Sequence, residues 1–321
     1  HGPLAITTSV GIGVYRGGDE DFTQVLSEAD GCLYEAKRSG RDCVVASERT
    51  HHSALWKAGM LQHALAEQRL VPAYQVMVDL ATGEVVADEA LARLIEPNGT
   101  VLPAAEFIEA AEGINLIHVV DQAIASAAMA RAVERLGARG GAAGRVHFIN
   151  LSPQFLARKE LVHHLMHEAR RYCGQHRVDF GPVNPVVFEI TERQLLSNFH
   201  DLKRYLEPLL EFGFRLALDD FGSGYSSFLY LAALPISYLK IEGWMVRNLG
   251  SDLKVRSMVQ SIVQLARDQD IITIAESIED SVTADLLRDM GVNWGQGYHF
   301  GYPECEPEAL DRVQAAAARL A

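Results

Sequence analysis

A repeating unit constrains the fold of this chain more than any other sequence feature. From about residue 72 onward, a short β-rich run ends in a polar residue and a stretch with helical spacing follows. Strands that alternate with helices indicate parallel βαβ units, and eight of them in about 250 residues match the usual size of a (β/α)8 barrel. The eight runs are 73–79, 85–94, 146–152, 186–192, 215–221, 238–242, 272–279 and 293–300.

The connection between the first two runs departs from a regular barrel. Only the segment Ala81-Thr82-Gly83-Glu84 separates them. A turn this short is typical of a hairpin, because two parallel strands need a connection of about a dozen residues or more. We therefore predict an α/β fold, a modified (β/α)8 TIM-type barrel with an antiparallel first strand.

The residues before the barrel predict a small α/β fragment. Apolar residues recur at helical spacing from Phe22 to Ala36, between β-rich stretches at 4–15 and 42–46. Such a piece cannot bury both of its faces alone, so we interpret it as the end of a larger α/β domain.

Three segments follow from this division. We predict the fragment at 1–48, a linker and connecting helix at 49–69, and the barrel domain at 70–321. His51 and His52 fall at the junction, where a solvated polar linker is a better interpretation than a metal site.

Composition limits the partners and the setting. The formal net charge of −13 argues against broad binding to nucleic acid or to an anionic membrane, both of which depend on basic patches. No apolar run reaches the ~18 residues that a membrane span needs, so we expect no membrane contact by this segment. The four cysteines form no CxxC pair, which indicates reduced thiols in the cytoplasm. The parent protein could still be anchored through further N-terminal regions.

Polar side chains at the ends of the predicted strands indicate a functional site. A parallel strand covered by helices is normally apolar throughout, and one buried carboxylate could simply pair with a neighbouring Arg or Lys. Polar groups on strand after strand are better explained by a site, because barrel active sites lie at the carboxyl ends of the strands. The residues are Glu89, Asn150, Glu189, Asp219, Asp220, Lys240, Glu276 and Gln296.

The residue types at these strand ends predict a metal site. Several carboxylates in one cavity repel each other and would be protonated unless cations intervene. Oxygen ligands without cysteine or clustered histidine suit Mg²⁺ or Mn²⁺. Adjacent Asp219 and Asp220 could serve two ions, an arrangement used for phosphodiester hydrolysis, with Lys240 stabilising charge or orienting water. The glycine-rich segment 221–227 is interpreted as a mobile loop that positions ligands.

Taken together, these motifs resemble the EAL-domain cyclic-di-GMP phosphodiesterases. The resemblance covers roughly 70–318 and rests on the order and spacing of all the motifs. It implies hydrolysis of one phosphodiester of cyclic di-GMP to linear pGpG, with two Mg²⁺ or Mn²⁺ ions, and a homodimer through the barrel domain. The motifs are Glu89-Ala-Leu-Ala-Arg93, Asn150-Leu-Ser, Glu189-Ile-Thr-Glu192, Asp219-Asp220-Phe-Gly-Ser-Gly-Tyr-Ser-Ser, Leu-Lys240-Ile and Gln296-Gly-Tyr.

The resemblance also implies a role for each site residue by position. Metal ligands would be Glu89, Asn150, Glu189 and Asp219 for one ion, and Asp219 with Asp220 for the other. Catalytic and metal-water contacts would come from Lys240, Glu276, Gln296 and Asp220. Gln75 would contact a guanine, Arg93 a substrate phosphate, and Glu192 with Glu279 would support the metal-binding loop.

Several positions depart from the family pattern. Lys-Ile-Asp is replaced by Lys240-Ile241-Glu242, with Gly243 where Arg is common, and Ser277 stands where Gly is usual. Alternation along the strand predicts that Glu242 points into the barrel mouth like Lys240. These changes keep open an alternative, a non-catalytic cyclic-di-GMP receptor, and an unrelated metal phosphatase is a third hypothesis.

Residues 4–46 resemble the C-terminal tail of a GGDEF diguanylate-cyclase domain. The similarity is carried by Ala29-Asp30 and by Leu33-Tyr34-Glu-Ala-Lys-Arg-Ser-Gly-Arg41. Gly17-Gly18-Asp19-Glu20 spells most of the signature, but it follows the strand that the true signature precedes. We interpret it as a coincidental turn sequence, since the catalytic half of that domain is absent.

Overall fold

A computed structural model of the chain describes residues 7–15, 22–38, 43–46, 54–138, 145–176, 184–191, 199–222 and 231–320. Its contacts form two compact units, one of 1–69 with 94–116 and one of 70–93 with 117–321. The domain boundaries at 48 and 69 stay predictions. Gly17 to Glu20, His51, His52, Glu192 and most of the glycine-rich segment after Gly222 lie outside the described residues.

The elements follow one another along the chain as strands and helices of very different lengths. In order they are β1 (Val10–Ile12), α1 (Phe22–Arg38), β2 (Val44–Ala46), α2 (Ala54–Ala66), β3 (Leu70–Asp79), β4 (Val85–Ile95), β5 (Val101–Pro103), α3 (Ile108–Gly113), α4 (Ile117–Ala138), β6 (Val146–Asn150), α5 (Pro153–Leu156), α6 (Lys159–His176), β7 (Val186–Thr191), α7 (Phe199–Glu211), β8 (Arg215–Phe221), β9 (Ile236–Ile241), α8 (Gly243–Asn248), α9 (Leu253–Asp268), β10 (Ile272–Ala275), α10 (Ser281–Asp289), β11 (Trp294–Gln296), β12 (Glu304–Cys305) and α11 (Pro307–Leu320). Within the described residues, no helix is both long enough and apolar enough to cross a bilayer.

The first unit contains the predicted strand–helix–strand fragment. β1 and β2 pair in parallel, which α1 makes possible as the crossover between them. The helix packs so closely on β1 that a Cβ on Gly11 would lie 2.1 Å from the carbonyl oxygen of Ala29. Glycine is therefore required at this contact.

The second unit is a closed barrel of eight strands, and all eight predicted runs form it. The strands pair in the order β3-β11-β10-β9-β8-β7-β6-β4, and a β3–β4 pairing closes the ring. β3 runs antiparallel to β11, whereas β10 pairs in parallel with both of its neighbours. The predicted antiparallel first strand is confirmed.

The interior of the barrel consists of an apolar layer beneath a polar one. The apolar layer combines buried residues with the half-buried Trp294, and Tyr238 contacts Phe148 and Trp294 at ring-centroid distances of 5.0 and 5.3 Å. Because strand side chains alternate with period 2, the residue two positions further along each parallel strand points into the barrel above this layer. β3 runs the other way, so its polar residue precedes its apolar one. The pairs are Met77 with Gln75, Ala87 with Glu89, Phe148 with Asn150, Val187 with Glu189, Ala217 with Asp219, Tyr238 with Lys240, Ile274 with Glu276 and Trp294 with Gln296.

A buried ionic cluster joins the outside of the barrel to α4. Asp88 lies on the outer face of β4 and accepts from His147 at 2.6 Å and from Arg131 at 3.0 Å. Burial alone would raise the pKa of Asp88, but the hydrogen bond from His147 and the charge of Arg131 hold it below its usual value. The cluster therefore fixes β4, which carries Glu89 on its inner face, to β6 and α4.

We expect Asp88→Asn to lower the free energy of unfolding by about 3 kcal/mol, because it removes the buried carboxylate that pairs with both His147 and Arg131 and leaves Arg131 with Glu306 alone. Urea unfolding measures this difference. Asp285→Asn is the matched control, since Asp285 forms an exposed ion pair with Arg288 and its removal should cost less than about 1 kcal/mol. Equal losses in the two variants would contradict a structural role for the Asp88 cluster.

A backbone contact fixes the turn after β11. A Cβ on Gly297 would lie 2.1 Å from the carbonyl oxygen and 2.3 Å from the nitrogen of Ile278. Ile278 in turn donates to the carbonyl of Gln296 at 3.1 Å and accepts from His299 at 3.0 Å. The approach of two backbones therefore holds Gln296 beside the end of β10.

Gly297→Ala should lower the free energy of unfolding by about 3 kcal/mol, because neither backbone can move away without breaking these hydrogen bonds. Gly250→Ala serves as the control, since a Cβ there meets nothing within 4 Å. Urea unfolding of both variants provides the measurement. A Gly297→Ala protein as stable as the control would show that the turn can relax.

Candidate active site

A buried lysine lies at the centre of the polar layer. Lys240 is fully buried, and its Nζ contacts the carboxylates of four strands or strand ends. These four carboxylates carry an excess of negative charge over the single ammonium group. The distances are 2.7 Å to Glu276, 2.9 Å to Glu189, 3.3 Å to Glu89 and 3.6 Å to Asp219.

Two amide side chains hold the carboxylate of Glu89 in place, and a third joins the same network. Asn150 donates to Glu89 at 2.8 Å, and Gln296 donates to the other oxygen of Glu89 at 2.7 Å. Gln296 also lies 3.1 Å from Gln75, which donates to the carbonyl of Gly301 at 3.0 Å. The structure thus brings together in one cluster residues that lie up to 221 positions apart in sequence.

A β-bulge at the end of β8 brings two consecutive aspartates to the same site. Leu218 pairs with Leu239 and Phe221 with Ile241, so Asp219 and Asp220 together lie opposite Lys240. Neighbouring strand residues normally point to opposite faces, and a bulge changes this direction locally. Asp220 has φ 55, in the left-handed region that non-glycine residues rarely adopt. This unusual backbone conformation of Asp220 allows the carboxylates of Asp219 and Asp220 to reach the same site.

The net effect of burial and the neighbouring charges is to raise the pKa values of Glu189, Glu276 and Lys240. Burial raises the pKa of Glu189 well above its usual value, and the charge of Glu89 adds to the shift. Burial also raises the pKa of Glu276 to about 8, although Lys240 opposes it. Burial alone would lower the pKa of Lys240, but the surrounding carboxylates raise it well above its usual value. The cluster is therefore short of positive charge.

The donor set of the cluster fits divalent cations. One ligand atom each from Asp219, Asp220 and Glu276 lie within 4.8 Å of one another. Among the described residues, Oε2 of Glu189 and Oε1 of Gln296 are buried without a hydrogen-bond donor, whereas Oε1 of Glu189 lies 2.9 Å from Nζ of Lys240. Buried oxygen acceptors without donors are the ligands that Mg²⁺ and Mn²⁺ prefer.

The cluster opens into a cavity of about 400 Å³. Glu279 lies on its wall together with Gln75, Glu89, Asp219, Lys240, Glu276 and Gln296. Arg93 is absent from this wall and donates to the carbonyl of Ala92 at 2.8 Å. The predicted roles of these residues stay predictions.

Glu242 lies differently from the position that alternation predicted. β9 ends at Ile241, and Glu242 has the turn conformation φ −56, ψ 137 immediately before α8. Because the strand has ended, period 2 no longer sets the direction of the side chain, and Glu242 is absent from the cavity wall. Its Oε2 is buried without a hydrogen-bond donor among the described residues.

Two of the departures from the family pattern belong to one packing arrangement. Ser277 has φ 56, which explains why glycine suits this position. Its side chain fills the space beside Gly243, where a Cβ would lie 2.4 Å from the Ser277 hydroxyl. Lys240 contacts four carboxylates in the presence of both changes.

Two cavity residues were missed by sequence reasoning. Arg247 and Tyr298 both line the cavity. Tyr298 stacks on Tyr302 with ring centroids 4.5 Å apart. Tyr298 was present in the Gln296-Gly-Tyr motif and could have been found there, whereas no sequence signal marks Arg247.

The chain is similar to proteins of cyclic-di-GMP signalling. It is 32% identical over 305 residues to the cyclic di-GMP phosphodiesterase PdeB of Shewanella oneidensis, covering 92% of this chain and 34% of PdeB. It is 29% identical over 314 residues to the bifunctional diguanylate cyclase/cyclic di-GMP phosphodiesterase MucR of Pseudomonas aeruginosa, covering 97% of this chain and 44% of MucR. The chain thus spans less than half the length of either relative.

Solved structures and family membership agree with the barrel. The MucR phosphodiesterase in complex with c-di-GMP matches with a TM-score of 0.68 and 30% identity, covering 79% of this chain and 99% of that one. The EAL domain family matches residues 58–303, which include all eight barrel strands. The chain therefore belongs to the EAL domain family.

Proposed function

We propose that this chain hydrolyses one phosphodiester of cyclic di-GMP to linear pGpG in the mouth of its barrel. The observation that carries the proposal is the buried Lys240 surrounded by four carboxylates, with Asp219, Asp220 and Glu276 close enough to share an ion. The name of PdeB and the c-di-GMP complex of MucR support the choice of substrate.

Two divalent ions, Mg²⁺ or Mn²⁺, are the proposed cofactors. Bound metal would supply charge for the attacked phosphodiester and would favour deprotonation of the attacking water. One ion would take Glu89, Asn150, Glu189 and Asp219, and the other Asp219 and Asp220. Two observations support this assignment, the buried Oε2 of Glu189, which has no hydrogen-bond donor among the described residues, and the bulge that brings the two aspartates together.

The chain's own residues position the substrate and the water. Lys240 holds four carboxylates in a fixed arrangement and adds positive charge at the reacting phosphate. Gln296 lies within hydrogen-bond distance of both Glu89 and Gln75, so it links the metal ligands to the proposed guanine contact. Glu276 lies beside both Lys240 and the paired aspartates, where it can orient a water molecule. Arg93 is proposed to reach a substrate phosphate, and Glu279 with Glu192 to support the loop.

We expect Glu89→Ala and Asp219→Asn each to reduce turnover of cyclic di-GMP at least 10³-fold, because each removes a charged ligand from a site that needs two cations. Chromatography of the linear product measures turnover with Mg²⁺ or Mn²⁺. Asp289→Asn, the same change at an exposed carboxylate, is the control and should keep native turnover. Native turnover by Asp219→Asn would contradict the assigned metal site.

The receptor alternative has its own distinct outcome. If the native chain binds cyclic di-GMP at micromolar concentration but releases no linear product with either metal, the barrel is a receptor. Ser277 and Gly243, which first suggested this alternative, pack against each other. The four carboxylates around Lys240 are present together with both changes, which favours the enzyme.

The segment before the barrel is proposed to be the C-terminal part of a GGDEF-like domain at 1–48, joined through 49–69 to the barrel domain at 70–321. The parallel strand–helix–strand arrangement of β1, α1 and β2 supports this assignment. So does MucR, whose name includes a diguanylate cyclase and which aligns with 97% of this chain. We further propose a homodimer through the barrel domain and a cytoplasmic location.

We expect this chain to form no cyclic di-GMP from GTP, because residues 1–48 resemble only the C-terminal tail of a cyclase domain and not the half that binds nucleotide and metal. Incubation with GTP and Mg²⁺ followed by chromatography tests this. The double variant Asp19→Asn/Glu20→Gln is the control, and it should be indistinguishable from the native chain. Synthesis that disappeared in the double variant would show that Gly17-Gly18-Asp19-Glu20 is a functional signature.

A further inference from the structure

An arginine of α8 reaches the same cavity as the carboxylate cluster. Arg247 lies in the last turn of α8 and lines the cavity wall. The other cation on this wall, Lys240, is fully buried, whereas Arg247 is exposed. The two cations therefore lie at different depths in the cavity, with Lys240 deeper than Arg247.

The place that Arg247 occupies depends on a glycine. A Cβ on Gly243 would lie 2.9 Å from Nη1 of Arg247, in addition to its contact with Ser277. The guanidinium thus lies against bare backbone, next to the Ser277 side chain. Any larger residue at 243 would push the guanidinium out of this position, so Gly243 and Ser277 together form a seat for Arg247.

The guanidinium keeps its hydrogen-bond donors available. Glu276 and Glu279 line the same cavity, yet within the described ranges no carboxylate forms an ion pair with Arg247. A guanidinium presents several donors in a planar fork that matches the oxygens of a phosphate group. An exposed cation with free donors beside a cavity rich in carboxylates is suited to an anion that enters from solvent.

We propose that Arg247 binds the second phosphate of the cyclic dinucleotide, the one that is not hydrolysed. This inference rests on the proposed function. The attacked phosphodiester must lie deep, at Lys240 and the carboxylate cluster. The ring carries another phosphate on its opposite side, and Arg247 lies at the solvent end of the cavity. Arg247 is then a substrate-binding residue that sets affinity rather than the rate of the chemical step.

Arg247→Gln should raise KM for cyclic di-GMP about tenfold or more and change kcat less than about threefold, because the lost contact is a charged hydrogen bond made before the reaction. Arg247→Lys keeps the positive charge without the planar guanidinium, so its KM should lie between those of the native chain and of Arg247→Gln. Arg256→Gln removes an exposed arginine of α9 outside the cavity wall and is the control. Raising the ionic strength should increase KM of the native chain more than that of Arg247→Gln.

Gly243→Ala tests the seat itself. This variant should raise KM as Arg247→Gln does. The double variant Gly243→Ala/Arg247→Gln should have a KM no higher than that of Arg247→Gln alone, because both substitutions remove the same contact. Additive effects would show that Gly243 acts by another route and would overturn the assigned seat.

The outcomes separate this inference from the proposed function. Titration calorimetry with cyclic di-GMP in the Glu89→Ala background measures affinity without turnover. If Arg247→Gln kept the KM and the affinity for cyclic di-GMP of the native chain, the role of Arg247 alone would be overturned. A native chain that neither binds nor hydrolyses cyclic di-GMP would overturn the proposed function and this inference with it.

Discussion

The ammonium group of Lys240 is the charge on which the barrel interior depends. An isolated ion removed from water is strongly destabilising, and several carboxylates without a cation would repel one another. Lys240 meets both constraints, since it contacts Glu89, Glu189, Asp219 and Glu276 from a fully buried position. One ammonium cannot neutralise four carboxylates, so the cluster is suited to divalent cations, which would supply the missing positive charge.

The layered interior explains how one strand can serve both stability and chemistry. Tyr238 fills the apolar layer, and two residues later the same strand supplies Lys240. The same spacing joins Phe148 to Asn150 and Val187 to Glu189. Because the strands pair all around the ring, they fix the separations of most of these polar groups, and Glu276 directly follows the last residue of β10. The bulge at Asp219 and Asp220 is the one place where the site needs an exception to period 2.

The sequence predicted the parts of the fold and site that depend on local pattern. Apolar runs ending in polar residues located all eight strands, and the four-residue turn after Leu80 located the antiparallel one. Glu189 and Lys240 could be identified as candidate site residues because a charged residue at the end of a buried strand is unusual. Other features depend on distances between segments far apart in sequence. Alternation could not place Glu242, because β9 ends one residue before it, and the seat formed by Gly243 and Ser277 for Arg247 could be seen only in three dimensions.

The aromatic layer beneath the site also determines how molecules can enter and leave the barrel interior. Phe148, Tyr238 and Trp294 pack together across the interior, so in the described part of the barrel the chamber above them is closed at its floor. In the proposed reaction, substrate, water and product would then exchange through the mouth at the carboxyl ends of the strands. A linear dinucleotide that had not yet left would occupy the entrance that the next cyclic one needs. Inhibition by the product is therefore expected to be competitive, and product release would limit the rate whenever bond cleavage is faster.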